Sequence, residues 1–292
     1  MINFVNDVLI PGLGIGMAYA LIAAGFSVME RVTGVVNFAH GGLVSLAPVS
    51  VVGLVGLGWS PVAAFAGSLV IVIVAVLVEE WAAIRPFIRT ASSLTWILST
   101  FGVGIVIEEV AHIISGGVPA NFPWHLGYQP MTLGPFRITG VTLTLILAAP
   151  VLITLIGLLY RHSRVGKMME AVGQDFDGAR SVGVDVAAMS RLSAVLSAVV
   201  AAITGWLIAP IFLASPEIGI LLTFNGFVAL AFGGVGSLPG ALVGGTAVGL
   251  TVHAAGVALG PSWSNLMLFA LLLAVYLVRP GGAFPPAHAR RV

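Results

Sequence analysis

Apolar residues run along this chain in long blocks broken by short polar interruptions. The blocks fall at residues 8–28, 41–57, 61–81, 94–115, 138–160, 190–213, 219–233, 240–258 and 264–279. Most reach or approach the roughly 20 residues that a helix rising about 1.5 Å per residue needs to cross the hydrocarbon of a bilayer. The long apolar/polar alternation of a membrane β-barrel is absent. The pattern predicts an all-α integral membrane protein, a polytopic helical bundle of eight or nine spans. The count turns on 219–233, which is short and carries Asn225 and Gly226; it either crosses or re-enters.

One interruption stands apart. Between Arg161 and Arg191 lie Arg161, Arg164, Lys167, Arg180 and Arg191 against Glu170, Asp175, Asp177 and Asp185, nine of the chain's 23 charged side chains. The rest is oily: 59% hydrophobic and 8% charged, with mean hydropathy +1.10, whereas soluble domains carry about 25% charged residues. A single transmembrane domain over 1–292 is expected, with loop 161–191 in water as a docking platform and a disordered tail at 280–292. A net charge of +1 argues against nucleic acid, and zero Cys removes disulfides and thiolate chemistry. MINFVND lacks the basic start of a cleaved signal, so the first block reads as a retained helix. Placing the charged loop in the cytoplasm and alternating outward leaves only Arg137 of twelve basic residues outside, with the N-terminus outside and the C-terminus cytoplasmic. The Gly116–Thr139 stretch, with Trp124, His125 and Tyr128, then reads as an outward loop.

Three stretches could carry function. In the charged loop, Asp175 suits the N-cap of a short helix Phe176–Val182 ended by Gly183, after a first piece Lys167–Gly173. If helix continues across the join, Met168, Val172, Phe176, Ala179 and Gly183 share one face that could enter a partner's groove; the alternative is a solvated loop whose charges only fix topology. In VTGVVNFAHGGL, residues 32–43, Asn37 and His40 followed by Gly41 and Gly42 predict a break in the helix, either an interfacial turn capped by Asn37 or a place where free backbone groups meet a polar solute. In AFGGVGSLPGALVGG, residues 231–245, the glycines lack the Gly-Lys-Ser/Thr ending of a phosphate loop, and Lys167 is the only lysine. A small-residue surface for close helix contact, with Pro239 starting the next helix, fits better; Gly12, Gly14 and Gly16 suit the same use.

Ionisable groups inside spans are costly there. Glu108 and Glu109 form the main pair, near the outer boundary, with His112 one turn on; His253 reads as a packing or pore-lining residue. No metal-binding spacing such as HExxH appears, Ser237 lacks the glycine after it that an intramembrane serine nucleophile needs, and no Asp pair sits at helical depth.

With those residues in view, the chain resembles a LivH-type permease, the membrane subunit of branched-chain amino-acid ABC importers. The likeness runs through GMAYALIAAGFSVMERVTGVVNFAHGG at 16–42, RPFIRTASSLTWILSTFGVGIVIEE at 85–109, RVGKMMEAVGQDFDGARSVGVD at 164–185 and GWLIAPIFLASPEIGILLTFNGFVALAFGGVGSLPGALVGG at 205–245. It implies the ABC importer permease fold with discontinuous helices, in a bacterial inner membrane. The implied partners are a second homologous permease in a heterodimer, two ATPase subunits and a periplasmic or lipid-anchored substrate-binding protein. This chain would then be a non-catalytic subunit without a cofactor, ATP and Mg being held by the ATPases. Carried over by position, Lys167, Met168, Glu170, Ala171, Val172, Asp175, Phe176, Ala179, Arg180 and Gly183 form the segment that couples to an ATPase. Asn37, Phe38, His40, Gly41 and Gly42, with Gly233, Gly234, Gly236 and Ser237, form paired discontinuities near the pathway. Glu108 and Glu109 depart from the family's pattern, in which at most one polar residue is expected there. Relatives also carry urea, short amides or aromatic amino acids, and an ion-coupled carrier or channel is the rival outside the family.

Overall fold

A computed structural model describes residues 2–87, 95–123 and 130–284. In chain order its helices are α1 (Ile2–Thr33), α2 (His40–Gly56), α3 (Pro61–Phe87), α4 (Thr95–Ser115), α5 (Gly140–His162), α6 (Arg164–Gln174), α7 (Phe176–Ser181), α8 (Val186–Phe212), α9 (Ile218–Gly233), α10 (Leu238–Leu259) and α11 (Pro261–Val278). Seven of these are long and apolar enough to cross a membrane. The remaining apolar helices, α2 and α9, have 17 and 16 residues. Each block read from the sequence is therefore a helix, two of them short. Trp124, His125, Tyr128, Arg89, Arg290 and Arg291 lie outside the described residues.

The chain divides into two compact units, one of Met1–Ala24, Trp124–Ile153 and Phe224–Val292, the other of Gly25–Pro123 and Thr154–Thr223. In the first, small residues let α1 and α10 touch backbone to backbone. A Cβ added at Gly16 would stand 2.8 Å from the Gly245 carbonyl, and one at Gly249 would overlap Gly12 and Gly16, the small-residue packing that brings membrane helices together. The stretch 116–139, read from sequence as an outward loop, also holds structure that its Gly and Pro content conceals. Strands β1 (Pro130–Leu133) and β2 (Phe136–Thr139) form an antiparallel hairpin turning at Gly134, φ +62°. Asn6 clamps it, its Nδ2 donating to the Pro135 carbonyl (3.0 Å) and its Oδ1 accepting from the Arg137 amide (2.9 Å).

The expected frayed tail needs correction at its start. Residues 280–284 turn back onto the end of α9, where the Ala283 and Phe284 amides donate to the Phe232 and Gly233 carbonyls (2.8 and 2.9 Å). The last carbonyls of a helix have no intrahelical donor, and this segment supplies two.

In the second unit α2 is the core. Every residue from His40 to Val51 is buried, with α3, α4 and α8 packed around it. Pro48 removes the amide that would bond to the Val44 carbonyl, and Gly205 of α8 abuts that carbonyl closely. Ser68 of α3 donates to the Ala47 carbonyl (2.7 Å) and accepts from Trp206 Nε1 (3.3 Å). The outer face of α3 shows Val62, Val70, Val74, Val78 and Trp81 at near-helical spacing, a stripe suited to lipid.

Candidate transport pathway and coupling segment

The α1–α2 break falls where the sequence places it. Gly34, at φ +70°, ends α1, its amide donating to Glu30 (2.8 Å), while Thr33 Oγ1 donates to Met29 (2.9 Å) and accepts from the Val35 amide (3.2 Å). Glycine is required there because a Cβ disfavours that left-handed conformation. Asn37 Oδ1 then accepts from the Ala39 amide (2.8 Å), and α2 begins at His40. Asn37 and His40 are wholly buried and Phe38 half-buried, its ring 6.4 Å from Trp96. Gly41 abuts Gly219, and Ser45 Oγ accepts from the Gly219 amide (2.7 Å); Gly42 faces the Gly104 carbonyl of α4, 3.1 Å from an added Cβ.

His40 is fixed in a definite tautomer. Ser197 Oγ donates its one proton to the Gly25 carbonyl (3.0 Å), so at 3.1 Å it accepts from His40 Nδ1–H. Nε2 is left as an acceptor without a hydrogen-bond partner among the described residues.

The second discontinuity, in the first unit, joins α9 to α10. Gly234 and Gly236 lie at φ +101° and +77°, Gly233 and Gly240 abut backbone to backbone, and Ser237 Oγ caps α10 by accepting from the Gly240 amide (3.1 Å). Pro239 sits in the first turn of α10, as the sequence implies. Ser237 is thus engaged as a cap, an ordinary structural use of serine.

The segment expected to couple to an ATPase forms two short helices held by caps. Ser163 Oγ accepts from Gly166 (2.8 Å), Asp175 Oδ1 from Gly178 (2.9 Å) and Asp185 Oδ1 from Ala188 (3.0 Å), starting α6, α7 and α8 in turn. Gly183, at φ +89°, follows α7. The single face expected across the join is not formed. Asp175 is extended at φ −153°, so α6 buries Gly166, Met169 and Val172 while α7 buries Ala179. Met168 and Phe176 are half-buried; Lys167, Glu170, Ala171, Asp175, Arg180 and Gly183 are exposed. Met169, fully buried, was legible in the spacing 166, 169, 172. The segment is seated on the end of α1: Gly173 abuts the Arg31 carbonyl, the Arg31 guanidinium lies 5.3 Å over the Tyr160 ring, and Tyr160 Oη donates to Val28 (3.2 Å). A cavity of about 420 Å³ opens between Arg85, Phe176, Arg180 and the start of α8.

On α4, Glu108 and His112 are half-buried and Glu109 is exposed. His253 Nε2 donates to the Asp7 carbonyl (3.1 Å), so it serves helix packing. The principal buried acids are instead Glu79 and Glu80. Reading 61–81 as one plain span places them at its end, where the cost of burial goes unnoticed.

A family described as the branched-chain amino acid transport system permease component matches residues 8–276. Similar relatives are the high-affinity branched-chain amino acid transport permease LivH of Escherichia coli K12, 29% identical over 96% of both chains, LivH of Salmonella typhimurium, 28% over 96% of both, and BraD of Pseudomonas aeruginosa, 26% over 97% of both. Among solved structures, PsaBC from Streptococcus pneumoniae in complex with Fab aligns with TM-score 0.48 at 15% identity, over 94% of this chain and 92% of that one.

Proposed function

We propose, given that this chain belongs to the family of branched-chain amino acid transport permease components, that it is the transmembrane subunit of an ATP-driven importer for branched-chain or similar apolar amino acids. It works by alternating access and is not itself a catalyst. ATP and Mg are held by two ATPase subunits that dock on α6 and α7; a second permease completes the pathway, and a binding protein delivers substrate from outside. The protein lies in the bacterial inner membrane with its N-terminus outside and its C-terminus in the cytoplasm. The observation that carries the reading is likeness to amino-acid permeases along almost the whole length of both chains. The two helix breaks, set by the positive-φ glycines Gly34, Gly234 and Gly236, support it, because interrupted membrane helices can aim backbone dipoles at a zwitterion without a fixed ion pair.

The test is uptake into proteoliposomes by the chain assembled with its ATPases and binding protein. Leucine, isoleucine or valine should enter only with ATP, ahead of urea, short amides and aromatic amino acids. Uptake by the purified chain alone, without ATP, would replace this reading with a channel or ion-coupled carrier. Phe176→Asp, half-buried on α7, and Val182→Asp, exposed just after it, should reduce ATPase binding. Ala179→Arg is unsuitable for this purpose, since Ala179 packs inside the chain.

A further inference from the structure

Two adjacent glutamates, sealed inside the second unit, have no place in the reading so far. We propose that Glu79 is a positioning residue of the transport cycle: a neutral carboxylic acid that, with Asn37, forms a latch on the α1–α2 break. This rests on the permease reading above.

Neighbouring residues of a regular α-helix project about 100° apart, yet Glu79 and Glu80 are 0% and 1% exposed. At Glu80 the helix widens into a π turn, closed by the Arg85 amide donating to the Glu80 carbonyl. Such turns cluster at functional sites. The two acids have different surroundings. Glu80 Oε1 accepts from Ser190 Oγ at 2.7 Å, tying the turn to the first part of α8, directly after the coupling segment. Neither oxygen of Glu79 has a hydrogen-bond partner among the described residues.

Asn37 stands beside Glu79. Its Oδ1 is engaged by the Ala39 amide, while its Nδ2 has no hydrogen-bond partner among the described residues. An ionised carboxylate in such a place needs a cation or several donors. Among the described residues none is placed to supply one: Glu80 shares the turn, Glu30 and Arg31 end α1 with the Arg31 guanidinium over the Tyr160 ring, Arg85 is exposed, His40 presents an acceptor at Nε2, Arg191 of α8 is turned to the Ala187 carbonyl, and Glu108, Glu109 and His112 occupy the far half of α4. A neutral acid suits the site, because its C=O can accept from Asn37 Nδ2 once the pair closes slightly. Asn37 would then hold the break with one end of its amide and Glu79 with the other, and displacement of α8 would reach Asn37 through Ser190, Glu80 and Glu79.

The experiment compares amino acid taken up per ATP hydrolysed in the complete reconstituted transporter. Glu79→Gln, neutral and isosteric, should keep that ratio within about twofold, whereas Glu79→Leu should lower it about tenfold while ATP hydrolysis continues. Difference infrared spectra of the wild type should show the carbonyl stretch of a protonated carboxylic acid, absent in Glu79→Gln; this decides the protonation state even if Glu79→Leu does not assemble. Equal damage from Gln and Leu, an unchanged ratio in Glu79→Leu, or no protonated-acid band would each overturn the proposal. If the wild-type complex takes up no amino acid, the permease reading has failed; if it transports and only the variant pattern is wrong, the latch alone has failed.

Discussion

At the scale of single residues, glycine decides which side chains can be buried. His40 is held in its pocket because Gly25 offers no Cβ: one placed there would overlap the imidazole ring. Gly25→Ala should therefore lower stability by roughly 1–3 kcal/mol through overpacking, read as a fall in the detergent unfolding midpoint. Gly102→Ala, on the same scale of change, meets open space and should leave the midpoint equal or slightly raised, since a helical Gly→Ala change reduces unfolded-chain freedom. These contacts are not readable from residue identity alone. The string NFAHGG announces a break, but nothing in it shows that Ser197, 157 positions from His40, supplies the partner for the imidazole.

At the scale of elements, the apolar blocks and the caps were legible because both are local. Each block became a helix, and Asp175 caps α7 as its place before Phe176 implies. The continuous face over 168–183 failed for the same local reason: the cap that starts α7 also stops α6. Two further features escaped because their causes are distant or unusual. The hairpin at 130–139 is held by Asn6, and the π turn buries Glu79 and Glu80 together against a helical period that would expose one. Asp175→Ala should remove the α7 cap at a cost of about 0.5–2 kcal/mol. Faster amide exchange at residues 176–181 should reveal it, with the bundle's unfolding midpoint unchanged.

At the scale of the whole molecule, hydropathy identifies a multi-pass membrane protein and the distribution of Arg and Lys proposes its orientation. The chain has no cysteine, so Val182→Cys, at a position 79% exposed, gives a single labelling site. A membrane-impermeant maleimide should modify it in inside-out vesicles and leave it untouched in intact cells. Labelling in intact cells would invert the orientation and leave the ATPases nothing to dock on.

The shortness of α2 and α9 has a physical consequence for the solute. At about 1.5 Å per residue, 17 and 16 residues give roughly 25 Å each, less than the ~30 Å of bilayer hydrocarbon. Because α2 is buried among α3, α4 and α8, lipid does not reach it, and its shortness leaves room for water in vestibules at the helix ends. In the proposed pathway that water shortens the dry distance a zwitterion crosses.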